Sequence, residues 1–295
     1  MGMDRFMRQW RGGGFAAVAA AGLLAAPQAY GEEPMAGDPA LAEAPPIVEE
    51  DGGLKISGSF NLDFNTHFIS YGFDVWAGGT SWSNYTLNPS AALSFDFDYF
   101  SLEVGTWWDV NSNTTSAIGG QLQEVDVWYG ISIPIDKFSL GITYQDWIYA
   151  GQVEQILDIS AGYDDSELWG DSGFALSPSV VFHQRLSGEG LEDHFAVVVG
   201  IAPGFTLVES ETFGVDLSIP VNVGFFEGDF HGGEDSGFGY VSVGAQFSTP
   251  LTFVPAEYGS WALNYGLTFY YTDDSVIPNE DEAFVTGNVG VSLSF

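Results

Sequence analysis

From Lys55 to Phe295 apolar side chains recur at every second position, segment after segment. In the first segment Ile56, Gly58, Phe60, Leu62 and Phe64 share one face, and Ser57, Ser59, Asn61, Asp63, Asn65 and His67 the other. A later segment sets Leu102, Val104, Thr106 and Trp108 against Ser101, Glu103, Gly105, Trp107 and Asp109. Successive side chains of a strand point to opposite faces, so this period predicts strands with one apolar and one polar side. Twelve such strands are predicted, at 55–68, 85–97, 99–110, 123–135, 137–149, 153–163, 175–186, 194–207, 213–226, 238–250, 259–272 and 283–295. Each is long enough to cross a bilayer on a tilt.

The pattern predicts an all-β fold, an antiparallel up-and-down transmembrane β-barrel of twelve strands. A β-sandwich or soluble barrel also alternates, but its apolar face points inward and must interdigitate. Here the polar face carries Ser, Gly, Thr, Asn, Asp and Glu, which suit a wet lumen, while the bulky residues suit lipid. Closure satisfies every backbone group between strands, so no open edge need face hydrocarbon. Aromatic residues gather at the strand ends, Phe97, Tyr99, Phe138, Phe253 and Phe295 at one level and Trp107, Trp108, Trp147, Phe269 and Tyr271 at the other. Two such belts are expected at the two headgroup levels. An even strand count puts both termini on one side, expected to be the periplasm. The segments near 72–84, 111–122, 188–193, 227–237 and 273–282 then become extracellular loops. The connection 164–174 is long for a periplasmic turn.

Before the barrel, Arg5, Arg8 and Arg11 precede an apolar run from Phe15 to Ala26, and Ala29-Tyr30-Gly31 offers small residues for cleavage. Residues 1–31 therefore read as a signal peptide. Residues 32–53 are acidic, Pro-rich and aperiodic, and read as a disordered periplasmic leader. Residues 54–295 form the barrel domain. The chain has 40 Asp and Glu against 6 Lys and Arg; without residues 1–31 the net charge is −36. So few bases leave no means of gripping a nucleic-acid backbone. With no Cys, disulfides and thiolate chemistry are out.

The last residues, Val291, Leu293 and Phe295, alternate and end in Phe. This resembles the C-terminal strand that bacterial outer-membrane proteins present to the barrel-assembly machinery, and implies a bacterial outer-membrane location among lipid and lipopolysaccharide. A narrower resemblance lies in 61–72 (NLDFNTHFISYG), 99–111 (YFSLEVGTWWDVN), 124–130 (EVDVWYG) and 153–163 (VEQILDISAGY). These segments resemble the TorF-type porin family, though the first lacks that family's Arg. The resemblance implies a twelve-stranded outer-membrane barrel of undefined substrate.

Candidate chemistry centres on the lumen. Asp63, Glu103, Asp109, Glu124, Asp126, Asp158 and Asp216 fall on the polar face, and such groups set the selectivity of a pore through their field. Glu124 and Asp126 share one strand face, with Asp109 ending the preceding strand, so the three should meet near the outer mouth. Arg185, with His183 two residues before it, also points inward and reads as the structural partner of a lumen acid. His67 reads as lumenal, and His194 and His231 as loop residues. None of the four His stands on an outward face beside a Ser as a catalytic arrangement requires, so no enzyme is expected. No resident cofactor is expected. Asp273, Asp274, Glu280, Asp281 and Glu282 flank one acidic loop and offer the oxygen ligands that suit Ca²⁺ or Mg²⁺; a solvated charge run is the plainer reading. The expected function is a porin-like channel passing small solutes passively or with weak cation preference. The alternative is a structural barrel that scaffolds periplasmic partners. A plugged lumen would favour the alternative. No loop reads as long and inward-folding, so any plug would come from side chains such as Trp107, Trp128 and Trp147.

Overall fold

The computed structural model describes residues 54–172, 174–187, 193–210, 213–233 and 235–295. The expected signal peptide and leader lie outside the described residues. Sixteen strands follow in chain order: β1 Lys55–Asn65, β2 Ile69–Ser70, β3 Phe73–Asp74, β4 Thr86–Asp96, β5 Ser101–Val110, β6 Leu122–Ile135, β7 Phe138–Tyr149 and β8 Gln152–Tyr163. Then come β9 Ser179–Ser187, β10 Phe195–Ile201, β11 Gly204–Ser210, β12 Phe213–Ser218, β13 Val221–Phe226, β14 Gly237–Pro250, β15 Ser260–Thr272 and β16 Ala283–Ser294.

All but β2 and β3 belong to one antiparallel sheet, and β1 pairs with both β4 and β16, which closes it. Two of the twelve expected strands are broken in the middle. The eighth divides at Ala202-Pro203 into β10 and β11, and the ninth at Ile219-Pro220 into β12 and β13. Proline cannot donate to a ladder, so each break falls where the N–H is missing. Carbonyls take up the slack: Ile219 N–H donates to Pro203 O at 2.9 Å and Gly244 N–H to Pro220 O at 2.8 Å. Counting each broken pair as one stave gives a twelve-stave transmembrane barrel.

The last residue completes the closure. Gly58 and Phe295 exchange backbone hydrogen bonds of 2.8 and 3.0 Å beyond the β1–β16 ladder, where Leu62 faces Val291 and Phe60 faces Leu293. The outward faces carry Ile56, Phe60, Leu62, Leu102, Ile142, Leu267 and Val289, all exposed. Water would make this costly, and hydrocarbon makes it favourable. At the termini end Tyr99 and Phe253 are 81% and 80% exposed, and at the other end Trp82, Tyr85, Trp108 and Tyr271 are exposed. Trp107 and Trp147, expected in that second belt, instead point inward and are buried. Their odd positions put them on the polar face of β5 and β7, and parity overrides the aromatic preference for the headgroup level.

The long connection 164–174 joins β8 to β9 without adding a strand among the described residues. It forms a 3₁₀ turn, Ser166–Ser172, held by Asp165. The Asp165 carboxylate accepts the Leu176 amide at 2.9 Å, the Ser177 amide at 2.8 Å and Trp169 Nε1 at 2.7 Å.

Candidate functional site: a plugged lumen

The first strand stops at Asn65, three residues earlier than the alternation suggests, and the chain then enters the barrel. Phe68, Ile69, Ser70, Tyr71, Phe73 and Asp74 are all buried. Here the expectation that no loop folds inward is overturned. Segment 66–85 is such a loop. Its tip is the β2–β3 hairpin, where Tyr71 (φ 42°) and Gly72 (φ 84°) make the left-handed two-residue turn that suits a twisted hairpin. Gly72 is also fixed by packing, since a Cβ there would lie 2.5 Å from the Tyr240 ring.

Two more loops converge on this hairpin. Phe230 and His231 come from 227–236, and Val276 and Ile277 from 273–282. With Trp107, Trp147, Tyr149, Ile156, Val198, Phe226 and Tyr240 from the wall they form one apolar cluster. The loops also hold one another. Asn279 donates to Gly72 O at 2.8 Å and accepts the Asp74 amide at 2.8 Å. Asp281 accepts the Thr80 amide at 2.9 Å, and Asp273 the Ser275 amide at 3.0 Å. These two members of the expected cation loop are thus engaged in loop bonding. Among the described residues no group of three or more His, Cys, Asp or Glu side chains is arranged to hold a metal ion.

Beneath the plug the wall supplies a cluster of buried polar and ionisable side chains. Asp109 and Glu124 are ladder partners on β5 and β6, and Asp126 faces Trp107 and Trp147 across β5 and β7. The three therefore do meet, but not at an open mouth. They are 0%, 4% and 6% exposed, roofed by the loop whose Trp76 Nε1 donates to Asp109 Oδ2 at 3.0 Å. Thr86 and Asn111 donate to the same carboxylate.

Arg185 on β9 is buried against Glu154 of β8. Its Nη2 donates to Phe230 O at 3.0 Å, and its guanidinium carbon sits 4.7 Å from the centre of the Phe230 ring. Glu154 escaped the sequence reading, although it shares the inward parity of Asp158 on the same strand. Its second oxygen accepts the Tyr149 hydroxyl at 2.6 Å. His183 Nδ1 lies 2.6 Å from the Tyr71 hydroxyl and 2.5 Å from Asp158 Oδ1, while Gln145 donates to Asp158 Oδ2 at 2.7 Å. Both contacts use the same ring nitrogen, so the group clamps Tyr71 to the wall rather than passing a proton through the imidazole. His67 sits inside the plug loop, its Nε2 3.0 Å from Gly79 O. His194 lies 3.5 Å from Glu227. His231, read from sequence as a plain loop residue, is buried between the rings of Phe73 and Phe226, with centroids 5.3 and 5.2 Å away. Burial, then the charges of Arg185 and His183, push its pKa down to about 3.

The termini-side half of the lumen is different. Its inward residues are small and polar and pair across strands, as Asn61 does with Ser90 at 3.1 Å and Asn264 with Ser292 at 2.9 Å. Asp63 lies among these, facing Asn88 and Gly290. Glu103 accepts Trp128 Nε1 at 2.6 Å, the indole lying over Gly105. Asp216 accepts Thr206 at 2.8 Å near the termini rim, away from the other acids.

This geometry defines a transmembrane β-barrel with one mouth plugged by its own loops. No protein-family model and no curated protein matches the sequence, so the TorF-type resemblance is not confirmed. Similar solved structures include a bacterial polysaccharide outer membrane secretin (9% identity, 81% of this chain and 97% of that chain, TM-score 0.40). The β domain of the Bordetella autotransporter BrkA matches with 10% identity over 82% of this chain and 99% of its own, TM-score 0.39. An anion-selective porin from Comamonas acidovorans matches with 8% identity over 82% and 99%, TM-score 0.31. Each likeness is low, and none bears on what passes through this barrel or binds to it.

Proposed function

We propose that the chain is a bacterial outer-membrane barrel whose resting state does not conduct, with termini in the periplasm. The observation that carries this reading is the interlocked plug. Three loops fill one mouth, and Asp109, Glu124 and Asp126, which would otherwise attract cations at an open entrance, are buried beneath them. The orientation is supported by loop length, since outer-membrane barrels have short periplasmic turns and longer external loops. The 66–85 and 227–236 loops fall at the end away from the termini. In this reading the apolar girdle meets lipid and lipopolysaccharide, the strand ending in Phe295 meets the assembly machinery, and the barrel performs no catalysis.

A second reading, porin-like passage of small solutes with weak cation preference, is favoured by the small polar lining of the other half-lumen and by Asp63 and Glu103 facing it. Conductance in planar bilayers separates the two. The closed reading expects no steady current from the intact protein, and a stable current when residues 68–76 are replaced by a short Gly-Ser linker. Steady current from the intact protein would overturn it in favour of the channel. Asp109→Asn, Glu124→Gln and Asp126→Asn together should then reduce cation preference, read as the reversal potential under a salt gradient.

A further inference from the structure

Among the described residues, β11 leaves one of its edges without a ladder partner. β11 pairs with β12 alone; the strand that would flank it on the other side, β9, starts only at Ser179, opposite Gly200 of β10. Local chemistry explains the early end of β9. Pro178 has no N–H, and Ser177 adopts a left-handed φ of 49°, which turns the chain out of the ladder. The amides of Leu176 and Ser177 are already taken by Asp165. A single bond, Ala202 N–H to Leu176 O at 2.8 Å, precedes the opening, and a ring contact of 5.8 Å between Phe174 and Phe205 lies beside it. From Phe205 to Ser210 every residue of β11 is exposed, with Leu207 and Val208 among them.

We propose that this edge, at the termini rim, is a strand-addition site for an extended basic segment of a periplasmic polypeptide. An exposed edge presents a row of free N–H and C=O groups that a further strand can pair. A second copy of this chain is a poor occupant. Copies inserted with one orientation are related by axes along the membrane normal, which keep equivalent strands parallel in direction and cross their tilts. Two β11 edges therefore cannot form an antiparallel ladder. Charge selects the occupant further. Glu209 is the exposed penultimate residue of β11, and the exposed Asp164 stands in the adjoining connection, while Asp165 is buried and engaged by the Leu176, Ser177 and Trp169 N–H groups. Hydrogen bonds from Ser166 hold Asp164 below the usual carboxylate range. Burial works against Asp165, but the bonds from Trp169, Ser177 and Leu176 outweigh it and lower it too. Among the described residues the bases near this rim are Lys55 and Lys137, and Lys137 is paired with Glu167. The inference rests on the orientation proposed above only in naming the partner periplasmic.

The test uses the intact barrel in detergent and a synthetic probe of about twelve residues alternating Val with Lys and Thr, read by anisotropy and by amide exchange. The probe should bind and slow exchange within 204–210, and Glu209→Lys should weaken it. The same probe N-methylated at alternate amides, or carrying Glu for Lys, should bind at least about tenfold more weakly, a loss read as dissociation constants. Equal binding by the N-methylated probe, unchanged exchange in 204–210 at saturation, or no binding would overturn the proposal. So would a disulfide-linked dimer through Val208→Cys at high yield, which would give the edge to a second copy. None of these readouts depends on conduction, so the closed-barrel reading stands or falls separately.

Discussion

Removing Arg185 should unseat the plug without dismantling the wall. Arg185 and Glu154 sit on neighbouring staves, and their pair is buried only while the loops cover it. In Arg185→Ala the closed state keeps Glu154 buried with no counter-charge, whereas an open lumen would hydrate it. The penalty therefore falls on the closed state. Breaking a buried ion pair from one side costs about 3–5 kcal/mol. Loss of the bond to Phe230 O and of the cation–π contact falls within the same penalty, because such terms do not add. At about 1.4 kcal/mol per decade the ratio of open to closed barrel should rise roughly 10²–10⁴-fold. Bilayer recordings would show this as frequent or sustained openings against rare ones in the native protein, and amides of 66–85 would exchange faster. The double variant Arg185→Met with Glu154→Gln removes both charges while keeping an acceptor for Tyr149, so closure should return. Native-like closure in Arg185→Ala, or a double variant as open as the single one, would refute the reasoning.

Gly72→Ala should loosen the same plug by about 1–3 kcal/mol, through its left-handed φ and its collision with Tyr240, seen as faster exchange in 66–85 with an unchanged heat-modifiable barrel band. Because the folded state lowers the pKa of His231, its contribution to plug stability is complete above about pH 6.5 and is lost as pH falls towards about 3. Acid should therefore speed loop exchange, against the opposing effect of Asp74, whose pKa burial raises, and His231→Phe should flatten that response. Deleting Phe295 should lower the yield of assembled barrel, since it removes both backbone bonds to Gly58; a normal heat-modifiable band would count against that role.

The wall was readable because a half-wet, half-lipid sheet imposes a period of two on every stave, and parity alone sets Asp109, Glu124, Asp126, Asp158, His183 and Arg185 on the inner face. The breaks at Pro203 and Pro220 were visible as residues but not as breaks, because the alternation runs on across them. The plug was not readable by period, since its backbone turns too often to have one. Its signal was composition: His67 to Trp76 holds Phe68, Ile69, Tyr71, Phe73, Val75 and Trp76, too much apolar surface for a loop standing in water. Which acids would be roofed depends on where that loop lands, and this depends on contacts such as Asn279 with Gly72, more than 200 residues apart.

The seam between β1 and β16 has a kinetic consequence. Ser59 pairs with Ser294 and Phe60 with Leu293, so the wall cannot become a cylinder until β1 and β16, more than 200 residues apart, are both available to pair. Until then any sheet that forms has two free margins and a large apolar face. Pairings between such distant parts of a chain are slow to find, and unpaired margins invite association with the wrong neighbour. An unclosed sheet is therefore an aggregation hazard. Folding of this barrel should be limited by how fast the two ends of the sheet meet rather than by formation of any local hairpin.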